Sequence, residues 1–127
     1  MSRVLIIEDD VFLSDDLKYF VEEKGHTCEV FRYADSVVEN FDKIAQFDCI
    51  ILDLMMLKGK YLKDDISHLD TGEILFKKIR KKYTKIKIII LTAKMMDSIN
   101  VDFEHDSVVV MIKPLTEEKI EKLIDLL

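Results

Sequence analysis

The chain has 127 residues, 49% hydrophobic and 35% charged, a balance that fits one globular domain and excludes a disordered tail. No apolar run approaches a membrane span, and a net charge of −6 offers no basic field for phosphate backbones, so neither membrane insertion nor direct nucleic-acid binding is expected. Cys28 and Cys49 lie in apolar, strand-like runs and no signal segment precedes the first of them, which suits reduced core thiols in the cytoplasm.

Residues 3–7 open the chain as an aliphatic strand that runs straight into Glu8, Asp9 and Asp10. Leu13, Leu17, Phe20 and Val21 then recur at helical spacing, and Gly25 is placed to end that helix. Residues 27–31 form a more mixed strand, suited to a place nearer the sheet edge. Val37, Val38, Phe41, Ile44 and Ala45 make a second helical stripe. Strand 48–52 leads to Asp53. A third stripe, Ile74, Leu75 and Ile79, precedes strand 87–91, which ends at Thr92. The helical pattern over 94–104 is the weakest, interrupted by Asn100 and β-branched residues. Strand 107–112 ends at Lys113, and Ile120, Leu123, Ile124 and Leu127 line a last helix with Thr116 as N-cap and two glutamates in its first turn.

Strand and helix alternate five times. That order predicts an α/β fold with a parallel sheet and helices on both faces. Ligands of such sheets bind beyond the carboxyl ends of the strands. The residues there are Glu8, Asp9, Asp10, Asp53, Thr92 and Lys113. Three adjacent carboxylates at the edge of a core are costly unless a cation neutralises them. Glu8, Asp9 and Asp53 together suit the oxygen shell of Mg2+ or Mn2+. A carboxylate beside such an ion can attack phosphorus, while a lysine neutralises the transferring group and a threonine hydroxyl donates to it.

Over essentially its whole length the sequence closely resembles the receiver domain of bacterial response regulators. VLIIEDD carries the acidic cluster, IILDLMM the phosphoacceptor position Asp53, ILTA the threonine Thr92 and IKPL the lysine Lys113. The resemblance implies a flavodoxin-like five-stranded sheet of order 2-1-3-4-5. It implies a metal held by Asp9, Asp53 and the backbone carbonyl of Met55, with Glu8 acting through water, and a cis bond between Lys113 and Pro114. It also implies a phosphoryl group passed to Asp53 from a sensor histidine kinase or phosphotransfer protein. Signalling would then run by contact with a downstream protein, through a surface spanning roughly 94–127. The last helix ends at Leu127 with no output domain after it, which also points to protein–protein contact, unless the piece is excised from a longer protein. The protein would assist its own phosphorylation and dephosphorylation without turning over a small substrate.

Two departures from the family pattern stand out. Receivers usually carry Tyr or Phe three residues before the lysine, where this chain has Val110, too small to sweep the same volume. The connection from Met55 to Asp70, MMLKGKYLKDDISHLD, exceeds the usual loop between a strand and a helix, and its excess is placed at 58–69 as an insertion into one receiver domain spanning 1–127. That insertion at the rim of the site either gates access or helps choose the kinase, or it is a tolerated surface loop.

Other readings stay open. A receiver-like scaffold that works without phosphorylation would need none of the phosphoryl-site groups that are present. A haloacid-dehalogenase-type phosphohydrolase needs an aspartate two positions after the nucleophile, and that position is Met55. Asp10 suits an N-cap. The basic run 77–87 suits the solvated end of the third helix, His26, His68 and His105 lack metal-ligand spacing, and Met55-Met56 and Met95-Met96 suit packing.

Overall fold

The computed structural model describes residues 1–62, 71–93 and 107–127. Five strands, β1 (Arg3–Ile7), β2 (Thr27–Phe31), β3 (Cys49–Asp53), β4 (Lys87–Thr92) and β5 (Val108–Ile112), form one parallel sheet in the order β2-β1-β3-β4-β5. Among the described residues the helices are α1 (Val11–Glu23), α2 (Ala34–Glu39), α3 (Thr71–Lys82) and α4 (Glu117–Asp125), and a 3-10 turn covers Phe41–Gln46. The helical segment expected over 94–104, with Met95-Met96, lies outside the described residues, as do His68 and His105.

Alternation along the strands divides the core in two. Leu5, Ile7, Ile50, Leu52, Ile88 and Ile90 face α2, the 3-10 turn and α3. Val4, Ile6, Cys49, Ile51, Ile89 and Leu91 face α1 and α4. With one residue pointing each way in turn, the central strands must be apolar throughout, which is why β1, β3 and β4 are near-continuous aliphatic runs. The mixed strand β2 lies at an edge. β5 lies at the other edge and is half-buried along most of its length, although its sequence reads like a central strand. Burial pushes the thiols of Cys28 and Cys49 up to about 12, so both act as apolar filler.

The local signals work as chemistry requires. Asp10 caps α1, its Oδ1 accepting from the Leu13 N–H at 3.1 Å, and Thr116 caps α4 through the Lys119 N–H at 3.3 Å. Gly25 follows α1 at φ +91°. Two expectations are corrected. Phe20 is partly exposed rather than in the core stripe, whose place on α1 goes to Ser14, Leu17 and Val21; the buried Ser14 hydroxyl is satisfied by Val11 O and by Arg32 Nε. The second stripe is no single helix but breaks at Asn40, where the backbone leaves helical geometry before the 3-10 turn. The basic run at the end of α3 is partly engaged: Arg80 donates to the carbonyls of Tyr83 and Ile86, and Lys82 pairs with Asp42.

Gly72, in the first turn of α3, lies against the end of β3. A Cβ there would stand 2.2 Å from Leu54 Cα and 2.6 Å from the Asp53 carbonyl oxygen, while the Gly72 N–H donates to Leu54 O at 2.9 Å. Only a residue without a side chain lets α3 approach so closely. Gly25→Ala meets open space and only the backbone cost of a left-handed conformation, about 1–2 kcal/mol. Gly72→Ala must displace backbone, so urea unfolding is expected to show a loss of about 2–3 kcal/mol, larger than that of Gly25→Ala. Equal or smaller loss at Gly72 would contradict this packing.

Candidate functional site

Strand order reverses between β1 and β3, and the carboxyl ends of these two strands carry the acidic residues. Ile7 lies opposite Leu52, so Glu8 and Asp53 emerge side by side from neighbouring strands. Backbone bonds past the strand ends fix this edge: Glu8 N–H to Phe31 O at 3.1 Å, Leu54 N–H to Leu91 O at 3.0 Å, and Lys113 N–H to Thr92 O at 2.8 Å. Thr92 is the fully buried last residue of β4, one beyond Leu91, which pairs with Asp53.

Glu8, Asp9 and Asp53 each offer a carboxylate oxygen within 4.8 Å of the others. Glu8 is 0% exposed and Asp53 2% exposed, while Asp9 lies nearer the surface. Lys113 reaches in from beyond β5, its Nζ 3.2 Å from Glu8 Oε1 and 3.4 Å from Asp53 Oδ1. The Met55 N–H also donates to Asp53 Oδ1, at 3.2 Å. The Lys113–Pro114 bond is cis. The four predicted strand-end positions Glu8–Asp9, Asp53, Thr92 and Lys113 therefore share one edge of the sheet. Asp10 is turned away into its helix cap.

Charge does not balance here. Burial, then the charge of Asp53 and a hydrogen bond to it, push the Glu8 carboxyl up from 4.5 to about 8. Burial and Asp53 also raise Asp9. Burial alone would lower Lys113, yet Asp53 and Glu8 outweigh it and its pKa rises, which keeps the ammonium charged. Three carboxylates against one ammonium fit a divalent cation with hard oxygen ligands, the donor set Mg2+ takes.

Sequence reasoning missed three supports. Gly72 packs on the Asp53 carbonyl, a close approach that no residue spacing announces. Lys113 is divided between Glu8 and Asp53, a contact across 105 residues that no local pattern carries. The connection after Asp53 is tied to α2: Asp35 Oδ1 accepts from the Lys60 N–H at 2.9 Å, and Gly59, at φ +71°, leaves no room for a Cβ beside that carboxylate. Tyr61 OH donates to Glu39 Oε2 at 3.3 Å, and Leu62 is buried in the core. The rest of the expected insertion, 63–69, lies outside the described residues.

A family profile described as response regulator receiver domain matches residues 4–125. Among solved structures, the chain is similar to the response regulator TrrA from Thermotoga maritima, crystallised in complex with Mg(2+)-BeF, at 28% identity and TM-score 0.71 with all of both chains covered. It is similar to the Francisella response regulator 1452 receiver domain at 26% identity and TM-score 0.70, covering 98% of this chain and 92% of that one. It is also similar, at 26% identity and TM-score 0.69, to a chain in the crystal structure of the histidine kinase ThkA in complex with TrrA, covering 100% and 99%.

The raised carboxyl has a consequence for stability. Glu8 in the folded protein holds a proton that the unfolded chain, with a pKa of 4.5, gives up. That stabilisation is complete below about pH 4.5 and is lost as pH rises through about 8. Chelator-treated protein is expected to lose Tm across that interval. Glu8→Gln flattens the loss, and magnesium raises Tm most at the alkaline end. A wild-type Tm that stays level over the same interval would count against the crowded-carboxylate geometry.

Proposed function

The chain belongs to the response regulator receiver domain family, and on that premise we propose that Asp53 is the phosphoacceptor of a two-component phosphorelay. The observation that carries this reading is the single buried edge where Asp53 meets two further carboxylates and the Lys113 ammonium. The donor is a phosphohistidine on a sensor kinase or phosphotransfer protein, the partner class represented by ThkA in its complex with TrrA. An Asp53 carboxylate oxygen attacks phosphorus. The new P–O bond forms as the P–N bond breaks, and its electron pair returns to the imidazole, which takes up a proton.

Each residue has a part that its position supports. The Met55 N–H and Lys113 hold Asp53 Oδ1, so the carboxylate keeps one orientation. Lys113, kept charged by its two carboxylate neighbours, offsets the negative charge of the arriving phosphoryl group. Thr92, at the end of β4, donates its hydroxyl to a phosphoryl oxygen. Asp9, Asp53 and the Met55 carbonyl would hold Mg2+ directly, with Glu8 through water, as the family implies; TrrA was crystallised with Mg(2+)-BeF. When bound, the ion supplies Lewis-acid charge at the phosphoryl oxygens and relieves repulsion among the carboxylates. Manganese suits the same oxygen set.

The output reading is protein–protein contact within the cytoplasm. No described helix is long and apolar enough to cross a membrane. Val110 is half-buried and packs on the α2–α3 side of the sheet, with little volume to rearrange. Of the surface spanning roughly 94–127, residues 94–106 lie outside the described part. The connection at 58–69 is read as an insertion that helps select the kinase; the ties of residues 59–62 to α2 and the core support a defined path for its first part.

With acetyl phosphate and magnesium, intact mass is expected to show one phosphoryl adduct, absent with chelator and absent in Asp53→Asn. Lys113→Ala should slow its formation by on the order of a hundredfold. Lack of an adduct on the wild type would favour a phosphorylation-independent scaffold. Steady release of phosphate from small esters would favour a phosphohydrolase.

A further inference from the structure

Away from the acidic edge, α2 with its following 3-10 turn and α3 enclose a groove of about 480 Å3. Its apolar surface comes from Val38, Phe41, Leu62 and Leu75, and it stays partly open to solvent. Phe41, one of its lining residues, is held by Tyr83, whose OH donates to Phe41 O at 2.7 Å with the two rings edge to face. The lips differ. The charged residues that line the groove are lysines; on the α2 side Asp42 is paired with Lys82, while Asp35 and Glu39 accept from the neutral Lys60 N–H and Tyr61 OH and do not line it. On the α3 side Lys78 and Lys81 are exposed and, among the described residues, have no ion-pair partner. A chain of net charge −6 thus presents an apolar trough lined by two exposed lysines that have no ion-pair partner among the described residues.

We infer that this groove is a docking site for an acidic amphipathic helix of a partner protein. Two helical walls present ridges and a trough of the kind that takes a third helix by its apolar face, with anchors at i, i+3, i+4 and i+7. Lys78 and Lys81 stand three residues apart on α3, a rise of about 4.5 Å. Carboxylates one turn apart on an incoming helix match that separation and meet both cations at once. A single small amphiphile with one carboxylate would leave one ammonium unmatched. Charge complementarity at the rim also sets direction, since a basic helix would be repelled where an acidic one is drawn in.

The test uses the full chain, unphosphorylated and free of magnesium, so its failure leaves the reading of Asp53 untouched. The probes are a synthetic peptide of about fifteen residues with leucines at i, i+3, i+4 and i+7 and glutamates beside them, its lysine-for-glutamate counterpart, and decanoate. Backbone NMR shifts are expected at Val38, Phe41, Leu75 and Lys78 with the acidic peptide, which should bind about tenfold tighter than the basic one and weaken with added salt. The double variant Lys78→Glu, Lys81→Glu changes only exposed side chains and should reverse that preference. Indifference to peptide charge, shifts centred elsewhere, binding of decanoate alone, or no binding by any probe would each overturn the inference.

Discussion

Glu8, Asp9 and Asp53 bring carboxylate oxygens within 4.8 Å of one another, and the Lys113 ammonium is the one cation that the described geometry sets against Glu8 and Asp53. Two of those carboxylates are shut away from water, where repulsion is poorly screened. Such an arrangement persists only because the rest of the domain holds it. Five parallel strands, with β3 buried throughout and β1 and β4 buried after their first residues, supply a rigid edge, and backbone bonds beyond that edge fix Glu8, Leu54 and Lys113. The stability lost in crowding the charges is what makes the edge responsive. A divalent ion, a proton or an added phosphoryl group each changes the balance, and each acts first on Asp53 and its neighbours.

The surroundings of Asp53 lead mechanically to one side of the sheet. Its carbonyl lies under the first turn of α3, where Gly72 leaves no slack. The chain that follows it runs through Met55, whose N–H is bonded to the Asp53 carboxylate, to Met56 in the core and on to Gly59 and Lys60 on Asp35. Both paths end at the walls of the α2–α3 groove. Lys113, by contrast, joins the site to β5 and α4, where Lys119 Nζ donates to Ile112 O and Pro114 O.

What the sequence disclosed follows from range. Asp10 and Thr116 were legible as caps because each acts on an N–H three residues away. The sheet was legible because an aliphatic run that stops at a charged or hydroxyl-bearing residue marks both a buried strand and its carboxyl end, and so Glu8, Asp53, Thr92 and Lys113 could be placed on one edge from the sequence. Features set by packing between distant segments were not. Phe20 has the right spacing for the core, yet the buried stripe of α1 runs through Ser14, Leu17 and Val21, with the Ser14 hydroxyl satisfied by the distant Arg32. The break at Asn40 hides behind apolar spacing that continues across it. The edge position of β5 cannot be told from five aliphatic residues, and the fit of Gly59 against Asp35 joins residues with no shared pattern.

Val110 sharpens what the geometry asks of this receiver. A bulky aromatic at that position could convert a hydrogen bond at Thr92 into a large surface displacement by moving between two rotamers. Valine has one χ angle and little volume, so the same bond moves little mass. The links from Asp53 to its surroundings then include the Lys113 side chain and the close backbone contact at Gly72, which joins the end of β3 to α3. That helix carries Lys78 and Lys81, while α2 across the groove is tied to Lys60 and Tyr61. The α2–α3 groove is therefore walled on one side by the helix whose first turn packs on the Asp53 carbonyl.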